Sequence, residues 1–228
     1  MLNQAIATNP ADRKHAATPH GPIFDHSLSG AFMMLGAPMP FERNAEIYGE
    51  AEPAEYFYLV VTGAVRTYRV LEDGRRQIDA FHLPGDVFGL EAGAEHGVSA
   101  EAIVDSTVRL AKRSVIVSMA ARDSELAADL WHWTAGGLRA AQDHMMLLGR
   151  KTAKERVATF LLDIARREST ADLVELPMCR HDIADYLGLT IETVSRSFTE
   201  LESNETIELS SSRRIVLRSH ASLQRLNA

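Results

Sequence analysis

Ile191, Glu192, Ser195 and Arg196 are the side chains whose types and spacing first suggest chemistry. At i, i+1, i+4 and i+5 they share one face of a helix, near its N-terminus, while Val194, Phe198 and Leu201 recur on the opposite face. A guanidinium can give two parallel hydrogen bonds to guanine O6 and N7, and a carboxylate can accept from cytosine N4. Arg196 and Glu192 together therefore suit a G·C pair in a major groove. Ile191 can meet a thymine methyl, and Ser195 can bond a base or a phosphate. The same residues also fit a solvated helix face carrying a Glu192–Arg196 ion pair at i, i+4.

The flanking sequence is what a reading helix needs. A short periodic segment with Ile183, Ala184 and Leu187 runs into Leu187-Gly188-Leu189, and Thr190 then precedes the second periodic segment. Gly188 can adopt the positive φ of a tight interhelical turn, and Thr190 can cap the amides that follow. Turn, cap, apolar face and polar face agree on a helix-turn-helix, and that agreement favours DNA reading over a solvated face.

Gly188-Leu189-Thr190 followed by Glu192-x-x-Ser195-Arg196 resembles the recognition helix of the CRP/FNR superfamily of bacterial transcription regulators, most closely the FNR and FixK branches. The similarity runs from about Phe41 to Leu217. It implies an α+β chain with a cyclic-nucleotide-binding-like β-roll, a long dimerisation helix and a C-terminal winged helix-turn-helix. It also implies a homodimer reading an inverted repeat of TTGAT-type half-sites in double-stranded DNA, contact with RNA polymerase, and genes of microaerobic or anaerobic respiration. The expected domains are a flexible arm at 1–26, the β-roll at 27–123, the dimerisation helix at 124–149 and the DNA-binding domain at 150–228.

Composition sets the limits. In 228 residues, 46% apolar, there is enough chain for one large or two smaller domains with a real core. No apolar run is long enough to span a bilayer, and residues 1–26 lack the apolar block of a signal peptide, so no membrane partner and a cytoplasmic location are expected. The net charge of −7 is unevenly placed: from Arg150 onward twelve basic residues balance twelve acidic ones, and the acidic excess lies before it. Phosphate contacts must then come from local placement of Arg180, Thr190, Arg213, Arg214 and also Arg218. No phosphate-binding glycine loop, nucleophile elbow or paired metal-ligand motif is present, which argues against an enzyme.

Residues 1–26 show no periodicity, and His15, His20 and His26 have no metal-ligand spacing. Strand signals follow at Tyr56–Thr62, Ala64–Leu71, Arg76–His82, Val98–Val104 and Thr107–Arg113, with Glu72-Asp73-Gly74-Arg75 as a hairpin tip and Pro84-Gly85-Asp86 as a turn. Gly63-Ala64-Val65-Arg66 and Leu83-Pro84-Gly85-Asp86-Val87-Phe88-Gly89 resemble the superfamily's β-roll landmarks. In nucleotide-binding relatives an Arg precedes a Ser-Ala pair and a Glu follows the Gly. Here Val98 precedes Ser99-Ala100 and Leu90 follows Gly89, so no cyclic nucleotide is expected. A four-thiolate iron–sulfur cluster is excluded by the single Cys179. His82 and His96 are conceivable haem ligands or merely solvated histidines. No cofactor and no metal are therefore expected.

Trp131, Thr134, Leu138, Ala141, Met145 and Leu148 step by threes and fours, the seam of a paired helix, although packing of this face onto its own β-roll fits too. Gly136-Gly137 weakens that helix, and Gly149-Arg150 is the expected hinge. A helix at Lys151–Arg167 and a strand at Leu173–Leu176 follow. Strands Ile207–Leu209 and Ile215–Leu217 about Ser210-Ser211-Ser212 make a wing. Its Arg213 and Arg214 suit phosphates, or are plain surface residues. Cys179 opens the first helix of the pair beside Arg180. It is either a redox-sensitive thiol, its thiolate favoured by the helix end and Arg180, or a small residue without regulatory meaning. By resemblance, Glu72 and Asp73, and Ser169, Thr170 and Asp172, occupy places where relatives touch polymerase, although solvated loops fit equally. Two rivals stay open: an effector-gated regulator with an unknown ligand in the β-roll, and a nucleotide-binding regulatory subunit of an enzyme whose C-terminal helices bind protein.

Overall fold

The computed structural model describes residues 27–168 and 172–227. The arm at 1–26, His15, His20 and His26, and also Ser169 and Thr170, lie outside the described residues. Alternating apolar side chains build two antiparallel four-stranded sheets. One is ordered β1 (Ala37–Phe41), β8 (Ser106–Lys112), β3 (Tyr56–Thr62), β6 (Val87–Phe88), and the other β2 (Glu46–Tyr48), β7 (Ser99–Ala102), β4 (Val65–Val70), β5 (Arg76–His82). Tyr58, Val60, Val65, Phe88, Ala100 and Val108 pack between them. This is the expected β-roll, with β4 starting at Val65 and β7 ending at Ala102, each shorter than its apolar run.

Two short helices border the roll that the hydrophobic period had not marked, α1 (Leu28–Leu35) and α2 (Arg113–Ala120). The helix α3 (Ser124–Arg150) follows, capped by Asp123, whose carboxylate accepts from the amides of Glu125 and Leu126. It passes through Gly136-Gly137 unbroken, because the Ala- and Leu-rich turns on either side offset two glycines. The chain breaks at Lys151, where ψ is 144°, one residue beyond the expected hinge.

The C-terminal part packs α4 (Ala153–Glu168), β9 (Leu173–Glu175), α5 (Arg180–Leu187), α6 (Ile191–Ser203), β10 (Ile207–Leu209), β11 (Arg214–Leu217) and α7 (His220–Asn227), with the strands ordered β10-β11-β9. Its core, built on Val157, Phe160, Leu161, Ile164, Ile183, Leu187, Val194, Phe198 and Leu201, is continuous with Ile78, Phe81, Leu83 and Ile103 of the β-roll. The helix-turn-helix thus rests directly on the sheet through α5 and β5.

Candidate nucleic-acid interface

Gly188 sits at φ 60°, ψ 42°, the left-handed conformation a side chain resists, and closes α5 by donating its N–H to the Ala184 carbonyl. Leu189 donates to the same carbonyl at 3.0 Å. Thr190 Oγ1 then accepts from the Thr193 amide at 3.2 Å and starts α6. Val194, Phe198 and Leu201 are fully enclosed. That orientation leaves Ile191, Glu192, Ser195 and Arg196 on the outer face, all exposed. Among the described residues no ion pair joins Glu192 to Arg196; the guanidinium Nη2 lies 3.5 Å from Thr193 Oγ1 instead. Its own amide and the Thr190 hydroxyl hold the Glu192 carboxyl below its usual range, so it is ionised at neutral pH.

The expected phosphate contacts divide. Thr190 is exposed at the helix start. Arg180 instead lies over the Phe198 ring, 3.3 Å from ring centre to guanidinium carbon, with Nη1 buried and without a hydrogen-bond partner among the described residues. Burial pushes its pKa down to about 10, so it keeps its charge at neutral pH. As placed, it supports α6 and does not reach outward. Arg214 pairs with Glu175 at 3.2 Å, Arg218 with Glu208, and Arg213 turns toward the β-roll. Ser211 Oγ accepts from the Arg213 and Arg214 amides and fixes the wing turn.

Cys179 is exposed. Its Sγ donates to Asp182 Oδ2 at 3.2 Å, and its amide donates to the same oxygen at 3.2 Å. The expectation that Arg180 attends the sulfur is therefore corrected. Arg180 is held by the aromatic face of Phe198, and the thiol faces a carboxylate.

What anchors this unit was barely marked in the sequence. Asp182, 3% exposed, accepts from Arg66 Nη1 at 2.9 Å and Arg76 Nη2 at 2.7 Å, two guanidiniums of the β-roll. Arg66 also pairs with Glu101 at 2.6 Å and Arg76 with Asp185 at 2.9 Å. Arg156 donates to three carbonyls, those of Leu148, Lys151 and Leu187, at 2.7 to 2.9 Å, and so ties the end of α3 to the end of α5. The one available signal was an arginine at an inward-facing position of a strand, Arg66.

Along α3, Trp131 is 73%, Leu138 62% and Met145 65% exposed, with Thr134 and Ala141 exposed between them. Leu148, expected at the end of this seam, packs against the winged-helix core beside Gly188 instead. The lowest turn of α3 is drawn inward by Arg156. Glu72 and Asp73 are exposed at the hairpin tip, where Asp73 accepts from Arg75 Nε at 2.7 Å. Asp172 is exposed and sits 3.4 Å from His220 Nε2.

Inside the β-roll, Leu90 packs into the Phe57, Leu59 and Val87 cluster, and Val98 is half-buried. His82 Nε2 lies 3.2 Å from Thr67 Oγ1, and burial lowers its pKa to about 4, so it is neutral at pH 7. His96 stacks on Tyr48 at 3.6 Å. Among the described residues no cluster of three or more His, Cys, Asp or Glu could hold a metal ion. No helix among them is long and apolar enough to cross a membrane.

The family model for a Crp-like helix-turn-helix domain matches residues 155–226, and that for a cyclic nucleotide-binding domain matches 38–123. The chain is 52% identical to the nitrogen fixation regulation protein FixK of Azorhizobium caulinodans, over 99% of this chain and 94% of that one. It is 42% identical to the transcriptional activatory protein AadR of Rhodopseudomonas palustris, over 77% of this chain and 75% of that one. Among solved structures, FixK2 from Bradyrhizobium japonicum superposes with a TM-score of 0.82 at 57% identity, covering 85% of this chain and 98% of that one. These relatives are regulators of transcription and not enzymes.

Proposed function

We propose, for a chain that belongs to the FixK-type branch of the CRP/FNR transcription regulators, that it binds DNA as a homodimer and activates transcription from an inverted repeat of TTGAT-type half-sites. One observation carries this reading: α6 buries its apolar side completely and leaves Ile191, Glu192, Ser195 and Arg196 open at its capped end. Glu192 and Arg196 read bases, Ile191 meets a thymine methyl, and Thr190, Arg213 and Arg214 attend phosphates. Arg180 joins them only by leaving Phe198. The proposed domains are the arm (1–26), β-roll (27–123), dimerisation helix (124–149) and DNA-binding domain (150–228). The exposed apolar residues of α3 supply the two-fold interface, which sets half-sites one helical turn apart.

Glu72 and Asp73, with Ser169, Thr170 and Asp172, are offered as polymerase contacts, and the cytoplasm as the compartment. The names of the FixK relatives support target genes of nitrogen fixation; genes of low-oxygen respiration are proposed on the family resemblance alone. Sedimentation of the free protein should give the mass of a dimer. Titrated duplexes carrying the full repeat should bind more tightly than those with one half-site. A monomer with equal affinity for both rejects the reading.

Cys179 is proposed as a redox-sensitive position. Oxidation to sulfinic or sulfonic acid would set a new negative charge against the Asp182 carboxylate and beside the DNA backbone. Peroxide should therefore weaken operator binding by wild type and leave Cys179→Ser unaffected. Equal sensitivity rejects the switch.

A second reading, gating by a small ligand inside the β-roll, is favoured by three buried polar atoms that have no partner among the described residues: Tyr48 Oη, His96 Nε2 and Glu91 Oε2. Titration with cellular metabolites while following DNA affinity separates the two; no response removes the second.

A further inference from the structure

A crevice of about 280 Å³ separates the β-roll from the winged helix, and its walls carry Arg43, Arg66, Arg76, His181, Cys179 and Arg213. Arg66 and Arg76 have their carboxylates, Glu101, Asp182 and Asp185. Both Asp182 oxygens are engaged: Oδ1 accepts from the two guanidiniums, whose charge offsets its own, and Oδ2 accepts from the amide and the thiol of Cys179. Two further cations are unmatched. The backbone amides of Arg43 and Arg213 bond to Asp105 and Ser211, and among the described residues neither guanidinium has an ion pair or a hydrogen bond. Arg66, only 7% exposed, also lines this space, and its buried Nε has no hydrogen-bond partner among the described residues. The positive end of α5 opens on the same space.

Arg43 and Arg213 from the two walls, the neighbouring arginines and a helix end make a site for a compact oxyanion with several acceptors. We propose that the crevice binds a phosphate-class oxyanion between Arg43 of the β-roll and Arg213 of the wing. Residues of both domains hold the ion, so its binding favours their docked arrangement over an undocked one. The ion is a free phosphate or phosphomonoester, or a backbone phosphate of bound DNA; the binding chemistry is the same. The proposal does not depend on α6, since Arg196→Ala should leave it intact.

The test uses the full chain and inorganic phosphate, with potassium chloride at equal ionic strength as the reference and DNA absent. Phosphate should raise the Tm of wild type. Arg43→Gln and Arg213→Gln, which remove no native bond, should lose most of that shift. Arg75→Gln, at the distant hairpin tip, should keep it. That result identifies a free anion. If phosphate is inert, the second arm compares operator and scrambled duplexes at several salt concentrations. Arg43→Gln should then weaken both duplexes equally and reduce the salt slope by about one, which identifies a DNA phosphate; Arg213, already assigned to phosphates, does not decide this arm. No phosphate-specific shift together with unchanged slopes overturns the proposal, and so does an equal effect of Arg75→Gln.

Discussion

Asp182→Ala is expected to destabilise the protein by about 3 kcal/mol, the low end for removing one partner of a buried ion pair. The Asp182 carboxylate is buried, and the side chain of Arg66 is itself only 9% exposed. Truncation leaves two guanidiniums short of a partner and strips the cap from the Cys179 amide. The loss stays near the low end because Glu101 and Asp185 remain. Urea unfolding should show the midpoint falling without a change in slope, and Tm should drop by roughly 6 to 12 °C for a chain of this size. The second pair is a control: Asp185→Ala, at a more open position, should cost less. Replacing Arg66 and Asp182 together by apolar residues of similar volume should recover much of the loss, because the desolvation penalty of the charges disappears with them. A change below about 0.5 kcal/mol for Asp182→Ala, within the range of ordinary surface substitutions, would mean that the two domains are not held by this carboxylate.

Arg196→Ala is expected to weaken operator binding by about 1 to 3 kcal/mol and to relax preference at a single base pair of each half-site. The guanidinium is exposed and free of Glu192, so its removal leaves no buried charge and should not alter folding. Arg214→Ala is the contrast. It breaks an exposed pair with Glu175, and its effect on DNA should be uniform across sequences, as for a phosphate contact. Fluorescence anisotropy with a panel of single-base variants separates the patterns. A uniform loss for Arg196→Ala would move that residue from base reading to the phosphate group.

How far the sequence could be read depended on the range of the forces involved. The helix-turn-helix was legible because everything that specifies it is local. Gly188 needs its positive φ, Thr190 caps the next helix within three residues, and Val194, Phe198 and Leu201 repeat at the helical period. The β-roll was legible for the same reason, since the Asp73-Gly74 tip and the aromatic runs mark its hairpins. What stayed hidden depends on distant partners. Asp182 reads as an ordinary exposed first-turn acid until β4 and β5 bring Arg66 and Arg76 to it, more than a hundred positions away. Arg180 looked like an outward-facing cation, yet the Phe198 ring lies beneath it. Leu148 continues the α3 seam in sequence, but the grip of Arg156 on three carbonyls turns that last turn inward. The helices α1, α2 and α7 are each only eight residues, as is α5, but none of them has the Leu187-Gly188-Leu189 turn and the capped helix after it by which α5 was recognised.

The most direct test of the central claim, that paired α6 helices read a two-fold repeated site, is selection of bound duplexes from a random pool by the full-length protein. The account predicts enrichment of an inverted repeat with half-sites centred one helical turn apart, with a G·C pair in each that Arg196→Ala no longer selects. Recovery of unrelated sequences, or of a site without two-fold symmetry, would contradict it.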